Sequence, residues 1–267
     1  MGNIGLIAGN GKFPIMFARQ CQKQGRRIIA IAIKEETSPE LAGCVDKIFW
    51  IRAGELKRLF DILIQEEVKE AVMAGQIKIS RLFKGGATPD KELSYMLKTI
   101  GTKQPYIIFR EVSNKLKKLG IKLLKSTTYL SYLLPKRGVI TPLKPNVSQL
   151  ADIKFGRKTG KRVAHLRIGQ TVVVKDKVAL AIEGIEGTDE AIKRGGRLGS
   201  QEVVVVKVSS PKQDMRFDVP VIGPQTIQTM DVVGAKCLAI EAKRTLLIDR
   251  QEVIKLANKS GICIVAF

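Results

Sequence analysis

The chain opens on a short unbroken apolar run, Ile4 to Ala8, closed by the glycine turn Gly9-Asn10-Gly11. A run of that length between turn residues predicts a strand covered on both faces. Pro14, well suited to the first turn of a helix, begins a stretch that runs to Gln24 and stops at Gly25. Arg27 to Ile33 then resumes an Ile-rich extended pattern. Strand, helix, strand makes a βαβ unit, so these two strands are expected to be parallel. Leu56 to Glu67, Glu92 to Thr99 and Ser113 to Leu119 read as helices; Ala71 to Ala74 and Ile121 to Leu124 read as strands.

The pattern breaks at Pro135 to Pro145, PKRGVITPLKP, where three prolines and a glycine predict a linker. It divides a first domain, 1–134, from a second, 146–267. In the second, Val147 to Leu166 reads as a helix interrupted near Gly156 and Gly160. Gln170 to Val174 and Val178 to Glu183 should pair as a hairpin around Lys175-Asp176-Lys177. A helix from Thr188 to Leu198 follows, with Thr188 as its expected N-cap. The β-branched run Val203 to Val208 predicts a strand, and Ser209 to Phe217 a polar loop. Thr226 to Gly234 and Arg250 to Ser260 read as helices; Cys237 to Glu241, Leu246 to Ile248 and Ile262 to Ala266 read as strands.

Composition narrows the chemistry. A single histidine, His165, excludes a multi-histidine metal site. The four cysteines, Cys21, Cys44, Cys237 and Cys263, lack zinc-knuckle or redox-pair spacing and are expected to be small buried hydrophobes. Any metal would therefore be held by oxygens, which points to Mg²⁺ or Mn²⁺. The N-terminus is a poor signal peptide, residue 6 is Leu where a myristoylation motif needs Ser or Thr, and no apolar run approaches the roughly 18 residues of a membrane span. The net charge is +21, and residues 1–150 carry 26 basic against 12 acidic residues, or +14 of it. That excess favours an anionic lipid surface, a phosphorylated substrate or nucleic acid.

Three segments could carry chemistry. The turn Gly9-Asn10-Gly11 lies between a strand and a helix, where backbone amides can bind phosphate, although the G-x-G-x-x-G spacing is missing. In Glu183-Gly184-Ile185-Glu186-Gly187-Thr188-Asp189-Glu190, four carboxylates crowd eight positions, and Glu183 and Glu186 are candidates to hold Mg²⁺. In Lys212-Gln213-Asp214-Met215-Arg216-Phe217-Asp218-Val219-Pro220, Lys212 and Arg216 could clamp phosphate oxygens while Asp214 and Asp218 bind metal or activate water. Phe217, Val219 and Pro220 imply that this loop packs down. Gly223 and Thr226 then open a helix, which offers further phosphate donors.

The segments GLIAGNGKFP (from Gly5), GQTVVV (Gly169 to Val174), EGIEGTDEAIKR (Glu183 to Arg194) and KQDMRFDVPVIG (Lys212 to Gly223) resemble the LpxI-type UDP-2,3-diacylglucosamine pyrophosphatases of lipid A biosynthesis. The resemblance covers nearly the whole chain in order, and the last two motifs are the specific ones. It implies an α/β fold with an N-terminal Rossmann-like parallel-sheet domain and a second α/β domain with a mixed sheet. It implies metal-dependent hydrolysis of UDP-2,3-diacylglucosamine to UMP and 2,3-diacylglucosamine 1-phosphate. It also implies an acidic residue two before the Gly169-Gln170 pair, where this chain has Arg167. The motifs then nominate Asp214, Asp218, Glu186 and Asp189 as catalytic residues. Asp214, Asp218 and Glu183 are the candidate metal ligands. Gly9, Asn10, Gly11, Lys212, Gln213, Arg216, Thr188, Arg194 and Thr226 are the candidate substrate contacts. The expected setting is the cytoplasm, with peripheral contact to anionic inner-membrane lipid and room for a homo-oligomer.

Two rival functions are weaker. A nucleic-acid-binding protein would suit the charge, but aromatics are only 5% and the basic residues are dispersed, so no nucleic-acid partner is expected. A nucleotide-dependent oxidoreductase would suit the βαβ start, but the glycine spacing is wrong and Glu35 and Glu36 are loosely placed for a ribose contact.

Overall fold

The computed structural model describes residues 2–77 and 88–267. The chain divides into two compact units, Met1–Ser131 with Met215–Asp218, and Tyr132–Asp214 with Val219–Phe267.

In the first unit the apolar runs become β1 (Ile4–Ala8) and β2 (Ile28–Ile33), buried at every position. β3 (Lys47–Ile51), β4 (Glu70–Ala74) and β5 (Lys122–Leu123) complete a parallel sheet of order β3-β2-β1-β4-β5 among the described residues. Strands buried on both faces need no alternation, which is why IGLIA and IIAIAI read so plainly. β3 escapes a sequence reading because only Ile51 in it is fully buried. Helices α1 (Phe13–Lys23), α2 (Leu56–Gln65), α3 (Lys91–Ile100) and α4 (Pro105–Lys118) belong to the same unit. The helix expected from Ser113 starts much earlier, at Pro105, a residue pre-set for a first helical position. This extension brings Tyr106 and Phe109 against Phe217, with ring centroids 5.5 and 6.1 Å away. The carbonyls of Met215 and Arg216 accept from the Ser126 backbone N–H and hydroxyl, at 2.8 and 2.7 Å. Phe217 thus packs down as its apolar character predicts.

The second unit is built on a mixed sheet of order β6-β13-β11-β9-β7-β8. Its strands are β6 (Gly138–Val139), β7 (Thr171–Lys175), β8 (Val178–Ile182), β9 (Val204–Lys207), β11 (Cys237–Ile240) and β13 (Cys263–Ala266). β9, β11 and β13 are mutually parallel; β6, β7 and β8 pair antiparallel with their neighbours. A separate parallel pair joins β10 (Val221–Ile222) to β12 (Leu246–Leu247). Helices α5 (Val147–His165), α6 (Thr188–Gly199), α7 (Pro224–Val232) and α8 (Arg250–Lys259) complete the unit.

The expected linker is not free chain. Val139 and Gly138 pair with Val265 and Ala266, and the Thr141 hydroxyl accepts the Ile264 N–H at 2.8 Å. An edge strand has one unpaired side, so a proline-rich segment can serve there. The expected interruption of α5 at Gly156 and Gly160 is also corrected, because the helix is continuous. A Cβ at Gly156 would lie 2.6 Å from Val206 Cγ2, and one at Gly160 3.2 Å from Val208. The two glycines, one turn apart, let the helix backbone lie directly on the valine face of the sheet. The hairpin forms as expected. Asp176 and Lys177 take φ of 50° and 61°, the left-handed pair of a tight two-residue turn. Their N–H groups donate to the carboxylate of Asp152, 4% exposed, at 3.1 and 2.6 Å. All four cysteines are buried and unbridged. No helix among the described residues is long and apolar enough to cross a membrane.

Candidate functional site

The strand directions gather charged residues at one edge of the second sheet. β9 and β11 run parallel and deliver Lys207 and Glu241 at their carboxyl ends. β7 runs against β9, so Thr171 at its start faces Lys207 in register. β8 runs against β7, so Glu183, the residue after Ile182, returns to the same edge. The carboxyl ends of parallel strands are where α/β sites are commonly assembled.

Lys207 is only 6% exposed. Its ammonium donates to the hydroxyls of Thr188 at 2.6 Å and Thr171 at 3.3 Å. The Thr188 hydroxyl in turn donates to Glu183 Oε1 at 2.8 Å, and the Gln170 N–H donates to Glu183 Oε2 at 3.1 Å. Burial would push the Glu183 carboxyl up, but Lys207 and the donors Thr171, Thr188 and Gln170 outweigh it and hold it below the ordinary range. Asp189 goes the other way. Burial raises its carboxyl against the pull of Lys207 and Lys193, with Glu190 and Glu183 adding to the rise. The edge therefore holds two carboxylates whose surroundings shift them in opposite directions.

These contacts revise two expectations. Thr188 is not the N-cap of α6; Gly187, at φ 90°, takes that position, and the Thr188 hydroxyl is engaged by Glu183 and Lys207 instead. Glu183 is surrounded by hydrogen-bond donors and a lysine, which supply the positive charge that a metal ligand would seek from an ion. Among the described residues, no three of His, Cys, Asp and Glu are grouped to hold a metal, so Glu183, Asp214 and Asp218 do not form a ready-made set.

A second cluster lies at the same edge. Glu241 Oε2 accepts the N–H and the hydroxyl of Ser209, both at 2.8 Å, and the Lys161 ammonium at 2.6 Å. Lys161 also donates to the Ser209 carbonyl at 2.9 Å. Burial again acts to raise the Glu241 carboxyl, and Lys161 and Ser209 bring it below the usual range. The loop after β9 starts from this anchor. The Ser210 N–H donates to the Gln213 side-chain carbonyl, and the Ser210 hydroxyl to Ala164 O at 3.3 Å.

The other candidates fall as follows. Glu186 pairs with Arg194 at 2.8 Å, and Arg194 also donates to Ile182 O, so these two brace the turn before α6. Slight burial would raise the Glu186 carboxyl, but the N–H groups of Glu186 and Gly184 and the Arg194 guanidinium pull it below its ordinary range. Lys212 is exposed, and Asp214, Arg216 and Asp218 are half-buried along the loop. Asp214 groups with the second unit and Asp218 with the first. Thr226 is buried in the first turn of α7. At the first turn of the chain, the N–H groups of Gly9 and Asn10 already donate to Ala74 O and Gln76 O, at 2.8 and 2.7 Å. A Cβ at Gly9 would stand 2.5 Å from Gln76 O, so close backbone approach accounts for that glycine. Its amide and that of Asn10 are corrected from phosphate donors to backbone partners; Gly11 takes a positive φ of 92° in the turn.

Lys207, Lys161, Ser209 and Glu241 were not legible as site residues. Lys207 lies inside a β-branched run, and Glu241 follows an apolar strand with no motif around it. Only the register of β7, β9 and β11 reveals their company.

Comparison with known proteins fits this two-part architecture. Residues 3–133 match a family model described as the LpxI N-terminal domain, and residues 136–265 one described as the LpxI C-terminal domain. A curated relative, UDP-2,3-diacylglucosamine pyrophosphatase LpxI of Caulobacter vibrioides, is 28% identical over 273 residues, covering 98% of this chain and 96% of its own. Among solved structures, the biotin carboxylase domain of the Hydrogenobacter thermophilus 2-oxoglutarate carboxylase is similar at a TM-score of 0.30 and 11% identity. That likeness covers 73% of this chain and only 41% of the solved one, and it is too slight to carry an argument. With both domain models matched in order along its length, the chain belongs to the LpxI family.

Proposed function

We propose that this protein hydrolyses the pyrophosphate bond of UDP-2,3-diacylglucosamine, giving UMP and 2,3-diacylglucosamine 1-phosphate. The observation that carries the reading is the end-to-end match to the Caulobacter pyrophosphatase, over 98% of this chain. Hydrolysis of a diphosphate needs its oxygens neutralised and a water activated. Lys212 would meet the diphosphate oxygens, and Asp214 would orient the attacking water and take its proton. Asp218, four residues on, is the second carboxylate of the loop.

Mg²⁺ or Mn²⁺ belongs to this reading as a cofactor. The donor set suits it: Mg²⁺ is commonly bound by one or two carboxylates together with substrate phosphate oxygens. Asp214 would be the carboxylate that holds the ion, and Glu183, already engaged by Lys207, Thr188 and Gln170, would not. Once bound, the ion would neutralise phosphate charge and make its water more acidic.

The test is paired, using Asp214→Ala. Its melting curve should match that of the unaltered protein while UMP release falls roughly a hundredfold or more. EDTA should abolish turnover by the unaltered protein, and Mg²⁺ should restore it. A stable variant with a near-normal rate would remove Asp214 from the mechanism. Undiminished turnover in EDTA would remove the metal.

A further inference from the structure

We propose that Lys161 and Glu241 are positioning residues for the loop that carries Lys212 and Asp214, acting on the reaction through that loop without touching substrate. The inference rests on the hydrolytic reading above. Its basis is the way one ion pair holds a single loop residue from three sides. Glu241 Oε2 accepts the Ser209 N–H and hydroxyl, and the Lys161 ammonium donates to the Ser209 carbonyl and to the same carboxylate oxygen. Ser209 is fully buried. Both backbone polar groups of the residue that launches the loop are therefore fixed in direction.

The constraint continues outward. Ser210 is tied to Gln213 and to Ala164 at the end of α5, and the next residue after Gln213 is Asp214. The anchor draws on three elements: α5 through Lys161, the end of β11 through Glu241, and the end of β9 through Ser209. Arg244 Nε lies 3.8 Å from the other oxygen, Glu241 Oε1, and adds a second cation to the same carboxylate. A partly buried ion pair of this kind contributes little net stability beside an apolar replacement, but it imposes direction. Direction matters here because displacement of a catalytic group by about 1 Å can cost on the order of a hundredfold in rate. A lysine–glutamate clamp on a loop backbone is thus suited to aim Asp214, where a hydrophobic contact would only hold the loop down.

The experiment uses full-length Lys161→Met, Glu241→Gln and Lys161→Arg. Each is assayed for UMP release from UDP-2,3-diacylglucosamine and for backbone hydrogen exchange. In Lys161→Met and Glu241→Gln, kcat should fall about tenfold or more with KM within about twofold, the signature of a misaimed catalytic group. Exchange should quicken at residues 209–214 while strands 204–207 and 237–240 keep their protection. Lys161→Arg, which keeps a cation and its donors, should recover most of the rate. Normal kcat in both disrupting variants would overturn the proposal, as would faster exchange spread across the whole second unit. If the unaltered protein releases no UMP, the hydrolytic reading fails by itself. The exchange measurement then decides the anchor, upheld by faster exchange confined to 209–214 and overturned by none.

Discussion

Replacing Lys207 with Met tests the electrostatic logic of the sheet edge. Methionine keeps most of the length and apolar stem of the side chain and removes the ammonium. Glu183 would keep its donors Thr171, Thr188 and Gln170 but lose its cation. Removing one partner of a buried ion pair commonly costs about 3–5 kcal/mol. Lys207 is joined to Glu183 through the shared Thr188 hydroxyl, and Glu183 is only partly buried and retains hydrogen bonds, so less is expected, about 2 kcal/mol, a Tm drop of roughly 5–10 °C for a unit of this size. The penalty should depend on pH in a defined direction. A carboxyl held below its ordinary value of 4.5 contributes stability that is complete above that value and disappears as pH falls through the folded pKa. Without Lys207 the carboxyl protonates more readily, so the gap between variant and unaltered protein should shrink as pH drops from about 7 toward about 4. Glu183→Gln added to Lys207→Met removes the stranded charge and should recover more than half of the loss. Urea unfolding at the two pH values measures all three proteins. A single variant within about 0.5 kcal/mol of the unaltered protein, or a gap that widens on acidification, would refute this account of Lys207.

Other consequences can be checked separately. Gly156→Ala places a methyl 2.6 Å from Val206 Cγ2 and should destabilise by about 1–3 kcal/mol in denaturant, more than Gly160→Ala, whose nearest contact is 3.2 Å. If alanine stabilised position 156 through helix propensity, the close packing of α5 on the sheet would be wrong. Asp152→Ala strands the N–H groups of Asp176 and Lys177 and should cost about 2–3 kcal/mol, also in denaturant; a change under about 0.5 kcal/mol would show that the turn holds without it. The +14 of residues 1–150 should carry the protein onto vesicles containing anionic lipid at low ionic strength and release it at about 0.5 M salt. Salt-independent flotation on neutral and anionic vesicles alike would oppose an electrostatic attachment.

How much of this could be read from the residues follows from physics. β1 and β2 were plain because a doubly covered parallel strand is a continuous apolar run. The hairpin was plain because its turn residues interrupt a valine run at hairpin spacing. The glycines of α5 misled, because glycine lowers helix propensity locally while here it serves a packing contact made by residues some 50 positions away. Pro135 to Pro145 misled for a related reason: its partner strand, Cys263–Ala266, comes more than 120 residues later. In the site, the carboxylates stood out in a basic chain, whereas their partners did not. Glu183 looked available as a metal ligand because nothing near it in sequence announces Lys207, which reaches it only through the antiparallel register of β7 on β9.

The central claim, that the chain cleaves a diphosphate carrying an acylated sugar, is tested most directly by product release from two substrates. Purified protein with Mg²⁺ is incubated with UDP-2,3-diacylglucosamine and, separately, with unacylated UDP-GlcNAc, and UMP is followed over time. Buried acyl chains contribute about 0.8 kcal/mol per CH₂ to binding that the enzyme can use, so the acylated substrate should be turned over with a far higher kcat/KM. Rapid UMP release from the diacylated substrate alone is the predicted result. Equal turnover of both sugars, or none of either, would contradict it.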